Sequence, residues 1–276
     1  MSMARALTIA GADSSGGAGV QLDLKVFERL GVYGLSAITA VTAQNTLGVT
    51  AVQALPADVI TAQIEAVAAD IGVDAVKTGM LATAAIVEAV AAAIDTLELA
   101  NVVVDPVMIA KGGDRLLEDE AVTALKAELL RRALVVTPNV QEAEVLAGMP
   151  IASLDDAREA ARRIFRLGPN AVIIKGGHLP GPDAIDLLYD GRDFLELRGP
   201  RIATPNTHGT GCTFAAALAA RLALGSSLRA AAEHAKQYVS GAMRAGFAIG
   251  GGHGVLDHFW NVPAISLGMP QAAGRQ

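Results

Sequence analysis

Apolar residues recur along this chain in two alternating rhythms. Short continuous runs at Ala6–Ala10, Ser36–Thr42, Ala75–Thr78, Asn101–Val104, Leu134–Thr137 and Ala171–Ile174 read as strands buried on both faces. Longer stretches between them predict helices over Val20–Leu30, Ala57–Ile71, Ala84–Leu97, Asp119–Ala133, Gln141–Ala147 and Leu154–Leu167. Within Asp58–Ile71, Val59, Ile60, Ile64, Val67 and Ala68 keep a helical period with one core-facing stripe. Gly31, Gly72, Gly148 and Gly168 stand where such helices should stop. Asp186–Asp190 and Phe194–Leu197 predict an antiparallel hairpin turning at Asp190-Gly191, followed by helices over Gly209–Leu224 and Leu228–Ala245. The alternation predicts an α/β fold, a mainly parallel central sheet flanked by helices and joined by right-handed crossovers. No linker or low-complexity tract divides residues 1–260, so one domain is expected, with residues 261–276 a flexible C-terminal tail.

Composition narrows the function classes. Hydrophobic residues make up 52% of the 276 and aromatics 4%, so the core must be built from Ala, Val, Leu and Ile. A net charge of −6 leaves no basic stripe to neutralise a phosphate backbone, and no nucleic-acid partner is expected. No apolar run is long enough for a membrane span. The single cysteine allows neither an intrachain disulfide nor a Cys-based zinc site, which makes a reducing cytoplasm the expected compartment. The apolar composition also points to a homodimer.

Ligands of parallel α/β sheets gather at the carboxyl ends of the strands. The polar clusters of this chain fall at those exits: Asp13 with Gly16–Gly19, Gln44-Asn45, Thr78–Met80, Asp105-Pro106, Thr137–Asn139 and Lys175–His178. Asn206–Thr213 adds a glycine turn, the start of an apolar helix and the lone Cys212. Helix-start amides and the macrodipole suit an anion there, and the same field favours a thiolate; a plain helix start with an inert thiol is the alternative. Gln44 offers an amide edge that complements an aminopyrimidine, or it ties down a loop. Met80 covers a flat ring or fills core. Asp105 and Glu142 are carboxylates for Mg²⁺, or a turn residue and a first-turn helix charge. Lys175, leaving an apolar strand into two glycines, needs an anionic partner: a nucleotide phosphate or a nearby carboxylate. His178, His208, His234, His253 and His258 show no metal-binding spacing, and His208 is placed to shape the glycine turn.

Taken together, Ala10–Lys25, Ala43–Thr46, Lys77–Leu81, Asp105–Met108, Thr137–Asn139, Lys175–His178 and Asn206–Thr213 resemble the hydroxymethylpyrimidine/phosphomethylpyrimidine kinase family, over about Ala6–Trp260. The resemblance implies a three-layer ribokinase-like fold and an ATP- and Mg²⁺-dependent kinase of thiamine biosynthesis. Its substrates would be 4-amino-5-hydroxymethyl-2-methylpyrimidine and then the monophosphate. It implies that Gln44 and Met80 hold the pyrimidine, with Asp23 and the Gly11 backbone lining the hydroxymethyl pocket. Cys212 would be the proton acceptor and Gly209, Thr210, Gly211 and Cys212 the anion hole. Asn139, Glu142 and Lys175 would serve the nucleotide, with Asp105 and Glu142 near the metal. Ser15 and Leu22 depart from the family's usual Gly and Ala. The alternatives are a pyridoxal-type kinase on the same scaffold, to which Gln44 is poorly matched, and a non-catalytic pyrimidine- or nucleotide-binding module.

Overall fold

The structure is a computed structural model that describes residues 3–108, 116–177 and 181–261. His178 and the tail from residue 262 onward lie outside the described residues. The strands are β1 (Arg5–Asp13), β2 (Tyr33–Gln44), β3 (Val49–Ala54), β4 (Ala75–Thr78), β5 (Val102–Val104), β6 (Val135–Val136), β7 (Val172–Ile174), β8 (Asp183–Tyr189) and β9 (Phe194–Pro200). They form one nine-stranded sheet in the order β3-β2-β1-β4-β5-β6-β7-β8-β9. From β2 to β7 every pairing is parallel, while β3, β8 and β9 pair antiparallel. The expected α/β architecture is therefore present, with an antiparallel border on each side.

Side-chain alternation sorts the helices into two layers. Val102, Val104, Val172 and Ile174 pack with α2 (Ala57–Asp70), α3 (Ala84–Thr96), α4 (Asp119–Ala124), α5 (Val140–Ala147) and α6 (Leu154–Phe165). Ala75, Val103 and Ile173 face the other way, onto α1 (Gly19–Arg29), α7 (Thr210–Ala223) and α8 (Leu228–Arg244). Ala215, Ala216, Ala217, Ala219 and Ala220 of α7 are all fully buried, so this helix lies close to the sheet and its neighbours. Among the described residues no helix is long and apolar enough to cross a membrane.

Three elements depart from the expectation. The edge strand β3 was not anticipated, because most of its residues are exposed and carry no burial rhythm. The single helix expected over Asp119–Ala133 breaks after Ala124 into a π turn, Leu125–Leu129, and a 3₁₀ turn, Leu130–Arg132. The extra residue in the wide turn lets Leu125, Leu129 and Leu130 all reach the core. The hairpin closes as expected but through a longer loop: Tyr189 pairs with Phe194, and the Asp190 carboxylate accepts from the amides of Arg192 and Asp193 at 2.9 and 2.8 Å.

The first strand is interrupted where the function-bearing turns begin. Its register with β2 shifts between Ala10 and Ala12, placing a bulge at Gly11. Gly19 opens α1 at φ +60°, and a Cβ there would overlap the Gly11 carbonyl oxygen. The β1–α1 turn is therefore folded back onto its own strand.

Candidate active site

A cleft of about 1490 Å³ opens along the carboxyl ends of the parallel strands. Gly11, Gln44, Met80, Asp105, Asn139, Glu142, Lys175 and Gly209–Cys212 all line it, so one cavity gathers residues spread over most of the chain.

The start of α7 forms one wall. Gly209 is its N-cap in the left-handed region, with no side chain capping the first-turn amides. A Cβ on Gly209 would overlap the Gly17 carbonyl oxygen, so the two turns meet backbone to backbone. The Gly209 carbonyl instead accepts from the Thr213 amide and hydroxyl at 2.8 and 2.9 Å. His208 braces this junction, as expected of it. Its Nε2 lies 3.0 Å from Asp13 Oδ2, its amide donates to the Gly254 carbonyl at 3.1 Å, and its ring packs on Gly17. Asp13 Oδ1 takes the Ser15 amide and hydroxyl, each at 2.8 Å, and against the effect of burial the His208 bond, then the Ser15 bonds, hold its carboxyl below the usual carboxylate range. Ser15 thus serves the turn, and Leu22 packs beneath Gly209. The resulting arrangement, a positively polarised helix end with glycine backbone at its surface, can hold an anion.

Cys212 sits half-buried one step into that helix. Burial pushes its thiol up to about 11, with Lys77 and the Gly19 amide opposing and Asp105 and Asp23 adding to the rise. The expected thiolate at a helix end is thus corrected: desolvation and two nearby carboxylates outweigh the dipole in the ligand-free state.

Opposite the glycine turn, Lys175 Nζ is 2.8 Å from Asp105 Oδ1. It also lies 3.1 Å from where a Gly211 Cβ would stand, so the ammonium faces the helix end directly. Lys175 therefore has the carboxylate partner, in a position that also faces the anion cradle. Asn139 and Glu142 form a capping box on α5: the Asn139 side-chain Oδ1 accepts from the Glu142 amide at 2.9 Å, and Glu142 Oε2 accepts from the Asn139 amide at 2.8 Å. Glu142 is buried, and that burial raises its carboxyl to about 7, Lys175 pulling it down and Asp105 pushing it up. Among the described residues no three His, Cys, Asp or Glu side chains cluster to hold a metal. Two mutually repelling carboxylates do fit Mg²⁺, which uses one or two carboxylates together with waters and substrate phosphates.

At the other end of the cleft, Gly11 and Met80 face each other, with Met80 Cε 2.7 Å from where a Gly11 Cβ would be. Thr39 Oγ1 donates to the Met80 carbonyl at 2.6 Å and fixes that turn. Gln44 is held by its backbone through two bonds to Ser14 Oγ, at 2.7 and 2.8 Å, and its side-chain carbonyl accepts from Thr42 Oγ1 at 3.3 Å. Asp23 is not on the wall. Its carboxylate is fully buried beneath the cleft, bound by Lys77 Nζ at 2.7 Å and Thr8 Oγ1 at 2.6 Å. Lys77, Asp13 and His208 are the residues whose site roles went unassigned or undervalued in the sequence. A charged residue inside the apolar strand Ala75–Thr78 was the available signal for the first.

Known proteins provide an independent comparison. The family model described as phosphomethylpyrimidine kinase matches residues 13–257. The hydroxymethylpyrimidine/phosphomethylpyrimidine kinase of Bacillus subtilis (strain 168) is 54% identical over 260 residues, 94% of this chain and 96% of that protein. A phosphomethylpyrimidine kinase from Clostridium difficile 630 superposes with a TM-score of 0.77 at 42% identity, covering 86% of this chain and 97% of that one. An ADP complex of a Bacillus subtilis pyridoxal kinase superposes with a TM-score of 0.88 at 43% identity, covering 94% and 98%.

The raised Glu142 means that the ligand-free fold is fully favoured by this group below about 4.5 and loses that contribution as pH rises through about 7. Glu142→Gln keeps the capping box, so it should be more stable than the parent by on the order of 2 kcal/mol at pH about 8 and equal to it in acid. Parallel Tm–pH curves for the two proteins would contradict this. Gly209→Ala should cost about 2 kcal/mol or more through its left-handed backbone and the overlap with Gly17. Gly211→Ala should fold normally but lose nucleotide affinity, because its methyl enters the gap in front of Lys175; isothermal titration with ATP and thermal melts separate the two outcomes.

Proposed function

The chain belongs to the phosphomethylpyrimidine kinase family, and from that premise we propose how its cleft works. The enzyme is a phosphotransferase: it phosphorylates 4-amino-5-hydroxymethyl-2-methylpyrimidine with ATP, then the monophosphate to the diphosphate, in thiamine biosynthesis. The observation that carries the reading is the meeting, in one cleft, of an uncapped helix end, a thiol, a facing ammonium, and the Met80 and Gln44 side chains beside the Gly11 backbone.

In this reading the pyrimidine lies against Met80 beside the Gly11 backbone, and Gln44 pairs with its N–C–NH₂ edge. That directs the hydroxymethyl group toward Cys212. The terminal phosphate of ATP lies against the Gly209–Cys212 amides and Lys175, with Asn139 at the nucleotide end. Phosphoryl transfer asks the protein chiefly to align donor and acceptor and to neutralise charge on the equatorial oxygens. Asp105 and Glu142 would hold Mg²⁺ through water, and the ion would supply further neutralisation of the phosphates. Lys175 breaks from Asp105 alone to share its charge with the arriving phosphate. Cys212 accepts the alcohol's proton only as the thiolate, so its thiol first gives up its own proton to solvent and then takes the alcohol's as the oxygen attacks. The ADP bound to the related pyridoxal kinase supports the nucleotide assignment.

That neighbour also supports a second reading, in which pyridoxal is a competing substrate. Gln44 favours the aminopyrimidine, because a pyridine with a phenolic oxygen does not present the same donor–acceptor edge. A homodimer fits the exposed Val41 on β2, Leu47 in the turn after it and Val52 on β3, together with the exposed Phe247 and Ile249.

The two acceptors differ in one chemical respect. An alcohol must lose a proton to attack, whereas a phosphate monoester, with a second pKa near 6, already presents an anionic oxygen at neutral pH. Cys212→Ala should therefore lose turnover of the alcohol by about 10²-fold or more while holding turnover of the monophosphate within about tenfold. A coupled ADP assay with the alcohol, the monophosphate and pyridoxal reads all three. Equal losses on both pyrimidines would remove the proton-acceptor role, and faster wild-type turnover of pyridoxal would overturn the substrate.

A further inference from the structure

Beneath the cleft floor lies an ion pair that the phosphate and ring contacts do not use. Lys77 stands in β4 two residues after Ala75, so it points to the same face of the sheet, toward α1 and α7. Its side chain is fully buried, as is that of its partner Asp23 on α1. The bonding is lopsided. Asp23 Oδ2 receives both Lys77 Nζ at 2.7 Å and Thr8 Oγ1 at 2.6 Å, while Asp23 Oδ1 is buried with no hydrogen-bond partner. Gly79 leaves room beside the ammonium, a Cβ there standing 2.9 Å from Lys77 Nζ. Lys77 also lies at the floor of the cleft that Cys212 lines, on the wall built by α7.

Stability alone is a weak reason for such a pair. Replacing a buried ion pair by apolar residues of similar size is often neutral or stabilising, whereas removing one partner leaves an uncompensated charge. A central strand otherwise made of Ala, Val and Thr has no need of an ammonium for packing. Lys77 lies on the face of β4 that α7 covers, and Lys77, Asp105, Lys175, Gly19 and Cys212 line one cleft, with Asp23 paired to Lys77 behind it; Lys77 favours the thiolate, whereas Asp105 and Asp23 oppose it. Of the two lysines, Lys175 faces the Gly211 turn, whereas Lys77 is paired with a carboxylate buried off the cleft wall.

We propose that Lys77 is a positioning residue for the first phosphoryl transfer: its buried ammonium, held and partly neutralised by Asp23, sets the proton affinity of Cys212. The proposal rests on the kinase reading above and adds to it a division of labour. Lys175 answers to the phosphate, and Lys77 answers to the thiol. Asp23 governs how strongly Lys77 is felt, so the two partners of one ion pair should act on Cys212 in opposite directions. A purely structural pair would not behave in this way.

Cys212 is the chain's only cysteine, so alkylation by iodoacetamide reports on it without ambiguity. The pH dependence of alkylation is followed in the parent, Asp23→Asn, Lys77→Met and the double variant. Asp23→Asn should lower the alkylation midpoint by about one unit, seen as a roughly tenfold faster reaction at fixed pH below the midpoint. Lys77→Met and the double variant should raise it. The pH profile of kcat for the alcohol should move with the midpoint, and turnover of the monophosphate should not. Should Lys77→Met fail to fold, Asp23→Asn and the double variant still decide, because they must move in opposite directions. An unchanged midpoint, or shifts of one sign in Asp23→Asn and the double variant, overturns the proposal. A parent enzyme that phosphorylates neither pyrimidine overturns the kinase reading instead, and the alkylation shifts distinguish that failure from this one.

Discussion

No side chain fits where α7 begins against the first-strand turn. The Gly209 position would drive a Cβ into the Gly17 carbonyl oxygen, and Gly17 in turn lies against the His208 ring. This backbone-to-backbone contact ties the chain's first turn to a helix that starts about two hundred residues later. It holds α7 with its uncapped end facing the cleft, and the Asp13–His208 pair at 3.0 Å locks the crossing from the side. The bulge at Gly11 and the close approach of Gly19 belong to the same arrangement. Remove the contact, and the anion cradle, the thiol and the ring slot lose their common reference.

The second organising feature is charge kept out of water. Lys77–Asp23 joins β4 to α1, Lys175–Asp105 joins the exits of β7 and β5, and buried Glu142 is close enough to Asp105 and Lys175 to feel both. Such groups are costly to bury, and each has an identifiable partner. What they share is the effect of burial: Glu142 is driven toward its neutral form and Cys212 toward its thiol. Cations and phosphates arriving together would complete the set. The same low dielectric that makes these charges expensive makes their orientation effective when phosphoryl charge develops.

The layered α/β fold was legible because parallel strands buried on both faces read as unbroken apolar runs, as Val102–Val104 and Val172–Ile174 show. The edge strand β3 was not, since nothing buries it and its residues keep no rhythm. Most of the candidate site was legible for a topological reason: polar residues at strand exits converge on one edge, and Gly11, Gln44, Met80, Asp105, Asn139, Glu142, Lys175 and Cys212 do line one cleft. Asp23 misled because loop proximity in sequence says nothing about helical phase. It lies four residues beyond Gly19, on the face of α1 that also buries Val20, Val26 and Phe27. Cys212 misled differently: the dipole of a helix start is visible in a sequence, but desolvation and the carboxylates of the distant Asp105 and Asp23 oppose it.

The account's central claim is that the start of α7 is where phosphate and alcohol meet. A crystal structure with the pyrimidine alcohol and a non-hydrolysable ATP analogue tests it most directly. The terminal phosphate should accept hydrogen bonds from the Gly209–Cys212 amides and from Lys175, with the hydroxymethyl oxygen in hydrogen-bond contact with Cys212 Sγ. A terminal phosphate bound away from α7, or a hydroxymethyl group turned from Cys212, would contradict the account.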